Sequence, residues 1–186
     1  MKYCRTCGRE YEAALDYCPE DGDRLRDLPH SSGPRLAIGD VVDGRYRIEG
    51  LLGAGGMGWV YRATQRSVER TIALKILPPS LARDEVAIGR FMREAKAASL
   101  LSNPHATTLF EFGQDQKGTL YLAMEFVDGP TLGEYLERNG RLPPIDACDV
   151  AIHLCNALEE AHQKGILHRD LKPSNVILVE RPGHRL

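Results

Sequence analysis

The sequence predicts an α+β chain in two lobes, preceded by a small separate module. Three observations carry that expectation. Short runs rich in β-branched and aromatic residues fill the first part of the main segment, and helical periodicities fill the second. A Pro/Ser/Gly-rich stretch separates both from a head that holds three of the five cysteines. With 186 residues, 42% hydrophobic and 27% charged, the chain can bury a core and keep a polar surface. Lys and Arg number 24 against 26 Asp and Glu, a net charge of -2, which offers no broad basic face to nucleic acid. No apolar run approaches the ~18 residues of a membrane span, and the N-terminus lacks the apolar centre of a signal peptide. The expected address is cytoplasmic.

The head, residues 1–27, contains Cys4-Arg-Thr-Cys7-Gly8 and Cys18-Pro-Glu-Asp21-Gly22, so the second turn repeats the first as Cys-x-x-[Cys/Asp]-Gly. Each turn presents two anionic donors, and the glycine lets it close. Two such turns in a segment too short to bury its own core resemble a zinc ribbon. The resemblance implies one structural Zn²⁺ on Cys4, Cys7 and Cys18, with Asp21 able to supply a fourth ligand through oxygen; the alternative is a ribbon without metal. An odd cysteine count without an export signal disfavours disulfides. Cys148 and Cys155 stand about two helical turns apart, roughly 10 Å, too far to bridge, and read as small buried hydrophobes.

Residues 28–38 read as a linker and residues 39–186 as the main domain. Strands are expected at 46–52, 59–64, 71–77, 107–112 and 120–126. A helix interrupts them within 81–104, where Ile88, Phe91, Ala95 and Ala98 recur at helical spacing and Pro104 closes the segment. Thr131-Leu132-Gly133-Glu134 is a capping-box pattern that starts a short helix ended by Gly140. A longer helix follows over about 145–164 with Cys148, Ala151, Cys155, Leu158 and His162 on one stripe, and a short strand is expected at 176–179.

Gly53-x-Gly55-x-x-Gly58 is a spacing shared with dinucleotide-binding folds, but here it joins two strands instead of opening a helix. That arrangement suits backbone N–H groups laid over phosphates; the alternative is a merely flexible hairpin. Lys75 closes the apolar run Ile72-Ala73-Leu74, and Glu94 on the interrupting helix could face it. The bland alternatives are a solvated lysine and a surface pair of Glu94 with Arg90. Then comes His168-Arg169-Asp170-Leu171-Lys172-Pro173-Ser174-Asn175.

Taken together, these motifs, in order and at family-like spacing, resemble the eukaryotic-like (Hanks-type) serine/threonine protein kinases of bacteria. The resemblance implies a kinase-like N-lobe over about 39–127, a five-stranded antiparallel sheet with one helix, and the start of a helical C-lobe over about 128–186. It further implies ATP and Mg²⁺ as cofactors and a protein with a Ser or Thr hydroxyl as substrate. Gly53, Gly55 and Gly58 would drape the phosphates, Lys75 would hold them, and Glu94 would pair with Lys75. Asp170 would be the base, Lys172 would steady the γ-phosphate and Asn175 would hold Mg²⁺. Met124 resembles the gatekeeper ahead of the hinge Glu125-Phe126-Val127, and Leu52, Val60, Ala73 and Ile177 would sandwich the adenine, with core packing as their alternative. The chain closes at Glu180-Arg-Pro-Gly-His-Arg-Leu186 and contains no Asp-Phe-Gly or Ala-Pro-Glu. The expectation is therefore an incomplete catalytic domain, inactive as written; the alternatives are a short ATP-binding pseudokinase and a zinc-ribbon regulatory or adaptor protein.

Overall fold

In the N-terminal module, β1 (Lys2–Tyr3) pairs antiparallel with both β2 (Glu10–Tyr11) and β3 (Arg26–Asp27). The computed structural model describes residues 2–4, 9–27, 36–55, 58–77, 82 and 84–179. A small core of Cys4, Cys18 and Leu25, with Tyr11 packed against it, fills the module. Gly22 closes the second cysteine turn in the left-handed region at φ 73°, which favours glycine, and its N–H donates to the Cys18 carbonyl at 2.9 Å. Cys7 and residues 28–35 of the expected linker lie outside the described residues.

The main sheet is wholly antiparallel. It runs β4 (Val41–Val42), β5 (Tyr46–Gly55), β6 (Gly58–Gln65), β7 (Arg70–Ile76), then β9 (Leu120–Glu125) and β8 (Leu109–Gln114) at the far edge. The five expected strands are present, and β4 adds a two-residue edge. Strand β8 starts two residues later than the expected 107–112 because residues 103–106 form a turn, in which the Asn103 side chain accepts from the His105 N–H at 2.9 Å.

Register assigns the two faces. Leu51, Tyr61 and Leu74 share one face with Trp59, Ile72, Ile76, Tyr121 and Ala123, and form a single buried cluster. On the other face α1 (Glu85–Leu100) packs Phe91 and Ala95 against Leu77, Leu120 and Leu122. Phe91 and the three leucines each contribute about 1.5–3 kcal/mol by leaving water. The helix is shorter than the 81–104 segment expected to hold it, and Asp84 caps it by accepting from the N–H groups of Val86 and Ala87 at 2.9 and 3.3 Å.

The chain forms two compact units: Met1–Lys96 with Leu109–Phe126, and Ala97–Thr108 with Val127–Leu186. In the second, α2 (Leu132–Asn139) carries the expected reciprocal capping box, since Glu134 N donates to Thr131 Oγ1 at 3.2 Å and Thr131 N to Glu134 Oε2 at 2.6 Å. Gly140 ends it at φ 79°. The helix α3 (Pro144–Gln163) follows. Its expected inward stripe is corrected: Cys148, Ala151, Cys155 and His162 are exposed, and the buried side carries Asp146 and Ala161. Apolar residues occur on more than one face of α3, so periodicity does not choose between neighbouring stripes.

The strand expected at 176–179 is a single bridge between Ile177 and Thr131. The Leu132 N–H donates to the Val176 carbonyl at 2.7 Å and the Leu178 N–H to the Pro130 carbonyl at 2.9 Å. Pro130 has no N–H to give back, so the ladder stops. No helix among the described residues is long and apolar enough to cross a membrane.

Candidate functional site

In the first unit the site begins at the β5–β6 hairpin, where Gly53 faces Val60, Ala54 faces Trp59 and Gly55 faces Gly58. Two bulges, between Ile48 and Gly50 and between Leu51 and Gly53, let ten residues of β5 pair with eight of β6. Gly58 stands at φ 120°, a backbone that other residues rarely adopt. A side chain at Gly53 would meet open space. Gly56 and Met57, at the tip, lie outside the described residues.

Register continues the row from Gly53 and Val60 to Lys75 and Leu122, and a second row joins Ala73 to Met124. Both lie on the face that packs α1. Lys75 Nζ donates to Glu94 Oε1 at 2.6 Å and Oε2 at 2.7 Å, with the lysine side chain 14% exposed. Lys75 stands in an apolar strand, and Glu94 reaches it from α1 as a carboxylate partner. Leu52, Val60 and Met124 are half-buried, Ala73 is buried, and Glu125 is exposed at the end of β9.

Val127, Asp170, Lys172, Asn175 and Ile177 belong to the second unit. There Arg169 takes the left-handed conformation at φ 62°, which costs a non-glycine residue about 1 kcal/mol, and the Asp170 N–H turns back to the His168 carbonyl at 2.8 Å. Pro173 opens a 3₁₀ turn, Pro173–Asn175. From that turn Asn175 Nδ2 donates to the Asp170 carbonyl at 2.8 Å and to Asp170 Oδ2 at 3.2 Å. Lys172 Nζ stands 2.8 Å from Asp170 Oδ2. Hydrogen bonding to Lys172, reinforced by Asn175, holds the Asp170 carboxyl below the usual carboxylate range. It is an exposed, ionised carboxylate aimed by two donors. Val127 and Ile177 are half-buried.

In the module, Cys4 Sγ, Cys18 Sγ and an Asp21 carboxylate oxygen all lie within 4.8 Å of one another. Cys4 Sγ is 3.3 and 3.4 Å from the two Asp21 oxygens, and the Tyr11 hydroxyl is 3.1 Å from Cys18 Sγ. Burial pushes the Cys18 thiol up, but the Tyr11 hydroxyl and the Glu20 and Asp21 N–H groups outweigh it and bring the thiol below its ordinary value. Two buried sulfurs and an oxygen are a donor set suited to Zn²⁺.

Sequence reading did not find a polar network in the first unit. Arg45 donates to both Glu111 oxygens at 2.9 and 2.7 Å and to Asp43 at 3.0 Å; the Tyr46 hydroxyl donates to Glu111 and the Tyr121 hydroxyl to Asp43, both at 2.7 Å. Burial and the Glu111 carboxylate push Tyr46 up to about 12, burial and Asp43 raise Tyr121, and Arg45 lowers Glu111. Arg45 and Glu111 are 66 residues apart, so no local pattern joins them. Gly113 was the available signal, because a Cβ there would collide with the Tyr121 ring.

A profile of the family described as Protein kinase domain matches residues 46–186. Serine/threonine-protein kinase pkn3 of Myxococcus xanthus is 41% identical over 144 residues, covering 77% of this chain and 26% of its own length. Serine/threonine-protein kinase PrkC of Bacillus subtilis (strain 168) is 39% identical over 143 residues, covering 77% of this chain and 22% of its own. The chain thus spans about a quarter of the length of these curated relatives. Among solved structures, the PknI kinase domain of Mycobacterium tuberculosis superimposes with a TM-score of 0.65 at 35% identity, over 78% of this chain and 59% of that one.

Proposed function

Since the chain belongs to the protein kinase domain family, we propose that it supplies the nucleotide-holding and phosphoryl-transfer residues of a serine/threonine protein kinase. The observation that carries this reading is Asp170, ionised and aimed between Lys172 and Asn175. Gly53, Gly55 and Gly58 present backbone N–H groups to the phosphates of ATP, and Lys75, steadied by Glu94, takes the charge of the α- and β-phosphates. Leu52, Val60, Ala73 and Ile177 are proposed to contribute apolar surface for the adenine, with the backbone of Glu125 and Val127 as its hydrogen-bonding edge and Met124 as gatekeeper.

In the reaction Asp170 accepts the proton of a Ser or Thr hydroxyl. The hydroxyl oxygen bonds the γ-phosphorus, the bond from that phosphorus to the bridging oxygen breaks, and ADP departs. Lys172 leaves Asp170 to follow the charge on the transferred group. Asn175 fits a hard cation, because its amide N–H groups are spent on Asp170 and its carbonyl oxygen remains as a donor to metal. Mg²⁺, when bound, would neutralise phosphate charge there. The sequence lacks Asp-Phe-Gly, the family's other metal anchor, and the 186-residue chain by itself is proposed to be inactive.

The domain reading retains residues 1–27 as the module, 28–38 as the linker, and 39–186 as a partial kinase domain with lobes 39–127 and 128–186. A structural Zn²⁺ on Cys4, Cys18 and Asp21 is supported by the clustering of those donors, and Cys7 joins them in this proposal from the repeated cysteine turn. The exposed thiols of Cys148 and Cys155 support a reducing, cytoplasmic setting. A radiolabelled-phosphate assay tests the catalytic reading on the chain, on the chain extended by a complete C-lobe, and on the Asp170→Asn form of the extended chain. Transfer should occur only in the second; activity that survives Asp170→Asn removes Asp170 as the base.

A further inference from the structure

We propose that metal binding in the N-terminal module controls the order of the glycine-hairpin strands through Tyr3, a regulation that rests on the zinc reading above. Tyr3 closes β1 and Cys4 follows it directly, and the two side chains are buried in different clusters. Tyr3, 6% exposed, belongs to the same buried cluster as Val42, Tyr46, Ile48 and Tyr61 of the main sheet. The next residue, Cys4, is fully buried in the module and carries its thiol to Cys18 and Asp21. One peptide bond therefore separates a metal donor from a side chain of the lobe's core.

Among the described residues the module's own core is Cys4, Cys18 and Leu25, and the first two are themselves donors. A segment of this size does not order itself by burial alone, so metal binding supplies its folding free energy. The helix α1 belongs to the opposite face of the sheet, and among the described residues the half-buried Leu36 also packs on Tyr3's cluster. Loss of metal releases β1, withdraws an aromatic ring from the core beneath β4, β5 and β6, and loosens the strands that carry Gly53, Gly55, Gly58 and Val60.

The test uses the full chain with Zn²⁺ as the probe. Hydrogen–deuterium exchange is followed by mass spectrometry in peptides from 41–65, zinc-loaded and after chelation, for the parent chain, Tyr3→Ala and Tyr3→Phe, and elemental analysis gives the metal content of each. The parent chain should hold one zinc, and chelation should speed exchange in 41–65 about tenfold. Tyr3→Ala should keep its zinc and exchange at the fast rate in both states. Tyr3→Phe retains the packing ring and should behave as the parent, which keeps the chelation comparison decisive even where the alanine form folds poorly. A parent chain that binds no zinc overturns the metal reading and this inference together; one that binds zinc but exchanges identically after chelation overturns the coupling alone.

Discussion

A side chain on Gly129 would strike the carbonyl oxygen of Leu178, because the two backbones touch where the chain entering α2 meets the chain leaving the Asp170 loop. The hydrogen bond from Leu178 N to Pro130 O and that from Leu132 N to Val176 O flank the contact and fix where the loop ends. Gly129→Ala has no flexible neighbour to displace. It should destabilise the second unit by about 1–3 kcal/mol, read as a lowered urea midpoint. An unchanged midpoint would mean that the two segments do not meet.

Lys75→Met should abolish the rise in melting temperature that ATP produces in the folded chain, since the ammonium is the charge offered to the phosphates from this strand. Glu94→Gln should weaken that rise without removing it, because the lysine stays while its anchor at 2.6–2.7 Å is neutralised. Equal responses in parent and both variants would place the nucleotide elsewhere.

Glu160 gives a prediction about pH. Lys164 first, then the Ser102 N–H at 3.0 Å, hold its carboxyl down to about 2, below the usual glutamate range. A depressed carboxylate contributes stability that is fully present above the unfolded value and is lost as pH falls through the folded one. Denaturation midpoints of the parent should therefore decline between about pH 5 and pH 2 more steeply than those of Glu160→Gln, measured side by side. Asp170 has the same sign, so Lys172→Met should move its carboxyl resonance upward in pH toward the ordinary range.

Gly113→Ala should unseat the Tyr121 ring, which is 1% exposed and hydrogen-bonded to Asp43. A loss of about 2–3 kcal/mol is expected, larger than for Tyr121→Phe, which removes one hydrogen bond and keeps the packing. Thermal denaturation of both variants ranks them, and the reverse order would show that the hydroxyl matters more than the ring.

Much of the fold was legible because it is local. Runs of β-branched and aromatic residues marked β6 and β7, the Thr131 and Glu134 pair marked the start of α2, and Gly140 marked its end. Lys75 and Glu94 could be paired on paper because the lysine closes an apolar strand and Glu94 lies on the helix that follows it. Other features depend on what lies across space. Cys148 and Cys155 read as core because α3 is apolar on several sides, and only packing shows which side is covered. The strand expected at 176–179 failed on Pro130, a residue far away in sequence whose missing N–H ends the ladder. The Arg45 network joins residues with no shared motif, and the one clue was a glycine opposite a tyrosine.

The two bulges of β5 bear on how the glycine hairpin gets its shape. Ten residues run beside eight, as an outer rail runs beside an inner one on a curved track. The surplus positions, Glu49 and Leu52, add bend and twist to the strand that carries the glycines. Curvature is thus written in residue count more than in residue identity. Point changes at 49 and 52 leave the track curved, whereas deleting either residue shortens the outer rail, straightens the hairpin and re-aims its tip.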